Sequence, residues 1–217
     1  MRSMQWITTN KTFRTAALWV AVFFAFHWSG SAQNDRSFHA GVKLGINTSQ
    51  MTGDGYGGFF KFSPIIGGFA NHRLNDKLKF QYELYYQQKG SHQPARPDKG
   101  FYNSYKIRLH YIEIPFLWQF QLKKFELEAG PGVGFMFHAQ EFDSNGEVKN
   151  LTTSWRNFEL DAMIGANYYM DSKERLFVNV RVHHSVTSVV SSTLVTPAGI
   201  YGGAWNVVIG ASINYRF

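Results

Sequence analysis

The sequence predicts an all-β fold: an eight-stranded antiparallel up-and-down transmembrane β-barrel after a cleaved signal peptide. Three observations predict it. Apolar and polar residues alternate with period two in segment after segment, as in strands with two unlike faces. Connections between these segments alternate between short and long, the pattern of an outer-membrane barrel. The polar parities carry charges of both signs at mid-strand, which a barrel with an apolar exterior gathers in its lumen.

Composition agrees. The chain has 217 residues, 17% of them charged, below the roughly 25% of an average soluble domain. Aromatic residues also make up 17%, which is high. The hydrophobic fraction of 44% excludes intrinsic disorder. The absence of cysteine excludes a disulfide scaffold, a thiolate zinc site, an iron–sulfur cluster and cysteine catalysis.

Residues 1–32 read as a secretory signal peptide. Arg2, Lys11 and Arg14 lie in a first stretch without acids, Ala16–Phe26 is apolar, and Gly30-Ser31-Ala32 precedes a plausible cut before Gln33. The apolar run is shorter than the ~20 residues of a membrane helix. No cysteine follows the cut, so a lipoprotein is not expected. Much of the net charge of +7 leaves with this leader, and with it most support for nucleic-acid binding. Residues 33–217 form the barrel domain.

The strands follow in order. Phe38–Asn47 sets Phe38, Ala40, Val42, Leu44 and Ile46 against Lys43 and Asn47. Lys61–Arg73 is mixed and glycine-rich. Leu78–Lys89 sets Leu78, Phe80, Tyr82, Leu84 and Tyr86 against Lys79, Gln81, Glu83 and Lys89. Tyr105–Phe120 changes phase near His110-Tyr111, with Ile107 and Leu109 on one parity and Ile112, Ile114, Phe116 and Trp118 on the other. A bulge in this strand would reconcile its halves. Phe125–Gln140 opposes Glu126 and Glu128 to Phe125, Leu127 and Val133, and runs on to Phe137 against His138 and Gln140. Arg156–Tyr168 opposes Glu159 and Asp161 to Phe158, Leu160 and Ile164. Leu176–His184 carries Arg181 and His183 on its polar parity. The last strand alternates through Trp205, Val207, Ile209, Ala211, Ile213, Tyr215 and Phe217. Short links fall at Leu74–Lys77, Leu122–Lys124 and Met170–Arg175. Long ones fall at roughly 50–60, 90–104, 141–154 and 185–203.

Two barrels fit this alternation. A soluble periplasmic or secreted barrel buries its apolar parity around an apolar ligand. A membrane barrel turns that parity to lipid and fills the lumen with polar groups. Aromatic residues near strand ends, among them Trp118, Phe125, Phe137, Phe158 and Trp205, match interfacial girdles. Tyr215 and Phe217 resemble the C-terminal signal read by the barrel assembly machinery. The membrane form is therefore expected, with periplasmic termini and a lumen cluster of Lys43, Glu83, Glu113, Glu126, Glu128, Glu159, Asp161 and Arg181. Leu44, Leu84, Leu160 and Ile209 decide between the two, facing lipid in one and the core in the other.

Four short segments carry a resemblance. Gly41-Val42-Lys43-Leu44-Gly45-Ile46-Asn47, Glu83-Leu84-Tyr85-Tyr86 with Lys89-Gly90, Tyr111-Ile112-Glu113-Ile114-Pro115 and Gly130-Pro131-Gly132-Val133-Gly134 resemble, in order, motifs of the PorT-like outer-membrane β-barrel family of Bacteroidetes. The resemblance implies a small envelope barrel, and for the founding members a link to protein secretion. The family often has Tyr-Gly-Leu after the Arg of its seventh strand, whereas Arg181 is followed here by Val182-His183-His184.

Eight strands enclose an interior that side chains just fill, so a general porin is not expected and a structural or binding role is. His183-His184-Ser185 has the His-x-Ser spacing of a lipid A deacylase, a second alternative, although His183 and Ser185 share the inward parity of Arg181. No enzyme activity, cofactor or metal site is expected. His138, His183 and His184 are a metal-ligand guess only if the fold brings them together. Binding groups commonly sit on loops held by a rigid scaffold, and His92, Arg96, Lys99, Phe101 and Tyr102 in loop 90–104 form a basic–aromatic mix suited to polysaccharide, lipid headgroups or an envelope protein. The expected partners are outer-membrane lipid, the assembly machinery and an envelope protein, without nucleic acid.

Overall fold

A computed structural model of the chain describes residues 38–55, 57–100, 102–148, 153–191 and 202–217. The predicted leader, residues 1–32, lies outside the described residues, as does Phe101.

Among the described residues, ten strands form one sheet: β1 (Phe38–Thr52), β2 (Lys61–Arg73), β3 (Leu78–Lys89), β4 (His92–Gln93), β5 (Tyr105–Leu122), β6 (Phe125–Asp143), β7 (Gly146–Glu147), β8 (Phe158–Tyr169), β9 (Leu176–Ser185) and β10 (Trp205–Arg216). Each of the eight long strands pairs antiparallel with its chain neighbours, and β1 closes the ring against β10 from Gly41↔Arg216 to Thr52↔Trp205. Closure leaves no free edge, which a sheet in lipid requires. β4 continues the path of β3 along β5, and Gly90, at φ 121°, makes the step between them. A Cβ there would run into the Ile107 carbonyl.

The turns at one end are tight. Asn75 Oδ1 accepts from the backbone N–H of Lys77 and Leu78, at 3.0 and 2.9 Å. Lys123 makes the two-residue β5–β6 turn at φ 56°, in the left-handed region that lysine seldom occupies. In the β8–β9 turn, Asp171 accepts from the backbone N–H of Leu176 and Arg175. These two bonds hold its carboxyl below the usual carboxylate range, Leu176 contributing most. The other end carries the long connections, the side that faces the exterior in outer-membrane barrels.

The exterior decides the orientation. Leu44, Leu84, Leu160 and Ile209 are 63%, 41%, 38% and 38% exposed. The soluble barrel with an apolar core is thereby overturned, because the residues that should fill that core lie outside. Trp118, Phe125, Phe137, Phe158, Tyr215 and Phe217 are exposed with them. This outward apolar face belongs in hydrocarbon.

One sequence expectation is corrected in detail. The ladder shifts at His110/Tyr111, but the strand that bulges is β6. His110 pairs with His138 and Tyr111 with Met136, which leaves Phe137 as the extra residue. β5 keeps one inward parity throughout, from Ile107, Leu109 and Tyr111 to Glu113, Leu117 and Gln119. Its faces swap character instead. Toward the loop end the exterior meets water and the interior is apolar, while lower down the exterior is apolar and the interior polar. The bulge moves the upper part of β6 to the opposite parity, so Glu141 points inward while His138 and Gln140 turn outward. The expected alternation to Gln140 on β6 therefore holds only below Phe137.

Candidate functional site: the charged lumen and the loop end

The inward parity of the strands builds a stack of ion pairs. At its centre, Arg181 on β9 bridges Glu83 on β3 and Glu128 on β6. Its Nη1 and Nη2 donate to Glu83 at 2.8 Å each, and its Nε donates to Glu128 at 2.6 Å. Lys43 on β1 reaches Glu83 at 2.6 Å. Asn179 and Gln119 donate to Glu128 at 2.8 and 3.1 Å, and Gln81 donates to Glu83 at 2.7 Å. Gly165 stands where a Cβ would lie 2.7 Å from both Glu128 Oε1 and the Val180 carbonyl, so its lack of a side chain makes room for the carboxylate.

Below this group, Lys79 pairs with Glu126 at 2.6 Å, and the Tyr169 hydroxyl donates to the same carboxylate at 3.0 Å. Above it, Lys89 sits between three carboxylates, at 2.5 Å from Asp161, 2.9 Å from Glu113 and 3.2 Å from Glu159. Asn206 donates to both Glu159 oxygens, and the Lys89 ammonium also lies 4.8 Å from the centre of the Tyr111 ring.

Apolar groups close the two ends. Ile107, Leu109, Tyr111, Met51, Met136 and Val189 are packed above the upper carboxylates. Phe69, Tyr169 and Phe177 cluster at the turn end, with ring centroids 5.6 Å apart for Phe69–Phe177 and 5.2 Å for Tyr169–Phe177. Between these ends the interior holds a cavity of about 10 Å³ beside Lys43, Tyr85, Arg181 and His183, room for about one water.

The structure places Lys43, Glu83, Glu113, Glu126, Glu128, Glu159, Asp161 and Arg181 all in the interior, distributed over these three groups. Lys79 and Lys89 join them. Both stand on the parity of Glu83 in the sequence, and that parity was the signal available for finding them. The three histidines do not meet: His183 is buried inside, while His138 and His184 face outward. Among the described residues, no group of His, Asp and Glu is placed to hold a metal ion. Ser185 is wholly buried, and its hydroxyl accepts from the Asn206 backbone N–H at 2.6 Å and donates to the Asn206 carbonyl at 3.3 Å.

At the loop end, Arg96 lies 4.4 Å over the Phe60 ring and His92 Nδ1 is 3.3 Å from the Phe60 carbonyl. Tyr102 is exposed. Lys99 ends the short 3₁₀ turn Pro97–Lys99. Phe101 falls outside the described residues. A cleft of about 390 Å³ opens beside Tyr105, Glu141 and Asp143, and the Tyr105 hydroxyl donates to Glu141. Tyr215 and Phe217 stack edge to face, 5.8 Å apart, on the exterior at the turn end.

A closed eight-stranded sheet with an apolar exterior and an ion-paired interior defines a small barrel of the bacterial outer membrane. The model of a family described as the outer membrane protein beta-barrel domain matches residues 13–191, and the chain belongs to that family. Solved structures with a similar fold include Neisserial surface protein A, 11% identical over 83% of this chain and 97% of that one, with a TM-score of 0.48. Another is Ail, the attachment invasion locus protein of Yersinia pestis, 11% identical over 83% of this chain and 99% of its own, with a TM-score of 0.47. A third is OprG of Pseudomonas aeruginosa, 12% identical over 83% and 94%, with a TM-score of 0.36. No curated protein matches the chain.

Proposed function

We propose that this protein is a non-conducting scaffold of the outer membrane, with a structural or partner-binding role carried by its loop end rather than by its lumen. One observation carries the reading: the interior is occupied by ion-paired side chains and capped by apolar clusters at both ends. Ions would have to break buried pairs to pass, and breaking such a pair costs several kcal/mol.

In this reading the protein is exported by the signal peptide at residues 1–32, and the assembly machinery reads Tyr215 and Phe217 during insertion. It resembles the PorT-like barrels of Bacteroidetes, and a link to secretion would run through an envelope protein docked on the loop end around His92, Arg96 and Tyr102. Catalysis has no part in it. The hydrogen bonds between Ser185 and the Asn206 backbone support that view, because they occupy the hydroxyl that a hydrolase would use.

Single-channel recording in a planar bilayer tests the reading. The purified barrel is expected to give no conductance steps in concentrated KCl. Steady ohmic conductance of the wild-type protein would overturn it.

A further inference from the structure

The outward face of β5 changes character along its length. From the turn end it presents Phe120, Trp118, Phe116, Ile114 and Ile112, and then His110, Arg108 and Lys106. The cations begin where the apolar belt ends, at the level where headgroups of the outer leaflet lie. His110 pairs with His138 across the ladder and Arg108 with Gln140, so β6 contributes a polar flank.

Among the described residues, no acidic side chain comes within 4.0 Å of Lys61, Lys106 or Arg108. Arg108 is held in place instead, its guanidinium 5.0 Å over the Phe142 ring and its Nη1 3.5 Å from Gln140 Oε1. Its Nε is buried and without an acceptor. Behind the pair stands Lys61, only 1% exposed, whose ammonium reaches no closer acceptor than Gln88 Oε1 at 3.5 Å. Lys106 and Arg108 are the charges that act on it. A buried ammonium beside two further cations is costly unless an anion completes the site.

We propose that Lys106 and Arg108, backed by Lys61, bind a phosphate group of the phosphorylated glycolipid in the outer leaflet. The acyl chains would lie along Ile112, Ile114 and Phe116 below. A rigid guanidinium suits a phosphate, since it offers donors in a fixed fork. This site lies on the lipid face of the barrel and is independent of whether the lumen conducts.

Native mass spectrometry of the full chain, refolded in lipid-free detergent, tests the proposal. The probe is purified diphosphoryl lipid A, compared with the same lipid after enzymatic dephosphorylation. The wild type is expected to retain the phosphorylated form preferentially, and retention should fall as salt is raised. In the Lys106→Gln/Arg108→Gln double variant it should weaken about thirtyfold, since each cation near the surface contributes a factor of several. A Lys123→Gln/Lys124→Gln variant, which removes the same charge at the turn end, should bind like the wild type. Equal retention of the two lipids by the wild type would overturn the proposal without recourse to any variant. So would displacement of the lipid by equimolar inorganic phosphate, which would mark a site for free anions.

Discussion

Arg181 and Glu83 join opposite walls of the barrel through two parallel hydrogen bonds of 2.8 Å. In the closed ring β3 and β9 are separated by three strands in either direction, β2, β1 and β10 one way and β5, β6 and β8 the other. The pair is therefore a strut across the lumen, and it is buried at both ends. Arg181→Ala leaves Glu83 with Lys43 and the Gln81 amide, and removes the Nε donor from Glu128. Loss of one partner of a buried pair costs about 3–5 kcal/mol. Equilibrium urea unfolding in lipid vesicles should show a loss of that size. Arg181→Lys should recover part of it, because one ammonium cannot replace the fork that contacts both carboxylates.

The upper group predicts the opposite sign. Lys89 is shared by Glu113, Glu159 and Asp161, and among the described residues no second cation pairs with them there. Beyond its ion pair with Lys89, the Glu113 carboxylate makes no hydrogen bond. Like charges confined together repel, so Glu113→Gln removes a negative charge that the group does not need. The variant should be as stable as the wild type or more stable by about 1 kcal/mol. Urea unfolding of the two proteins side by side checks this. A loss comparable to that of Arg181→Ala would mean that Glu113 is required by Lys89.

Much of this fold is legible in the sequence, and the reason is periodicity. Leu44, Leu84 and Lys43 sit on faces that alternation alone assigns, because side chains of a strand point to opposite sides in turn. The register is less legible. Which carboxylate Arg181 would meet depends on β3 and β9 lying opposite one another, and that follows from ring closure rather than from any local signal. The phase change at His110-Tyr111 misleads for a physical reason. Ile107 and Leu109 are apolar on the inward parity because they cap the lumen, and Lys106 and Arg108 are polar on the outward parity because they stand above the hydrocarbon. The surroundings change there while the parity of β5 stays the same. The real bulge, at Phe137 on β6, is silent in the sequence because Phe137 and His138 are both outward.

That bulge can be tested directly. Deleting Phe137 removes the extra residue and leaves a regular ladder in which His110 still pairs with His138 and Tyr111 with Met136. His138 would stay outward next to inward Met136, so Gln140 keeps its outward place and Glu141 its inward one beside the Tyr105 hydroxyl. The deletion should therefore cost no more than about 2 kcal/mol, since no buried polar group changes sides. Phe137→Ala keeps the register and should cost no more than about 1 kcal/mol. A loss well beyond about 2 kcal/mol for the deletion, measured by urea unfolding, would show that the loop end needs the bulge itself and not only the pairing on either side of it.

The β8–β9 turn makes the last prediction, which concerns acid. The Asp171 carboxylate accepts from Leu176 at 2.9 Å and Arg175 at 2.8 Å, and these bonds, Leu176 first, lower its pKa in the folded state. A carboxyl whose pKa is depressed by folding adds stability above its unfolded value, near 3.9. That contribution fades as pH falls through the lower folded value. Asp171→Ala should therefore be less stable than the wild type at neutral pH, and the gap should narrow below about pH 4. The turn is exposed, so only this stretch of the barrel is involved and the fold itself should persist. Paired unfolding curves from neutral to acid pH decide it. A gap of constant size would mean that Asp171 shapes the turn through its geometry alone, with no part played by its charge.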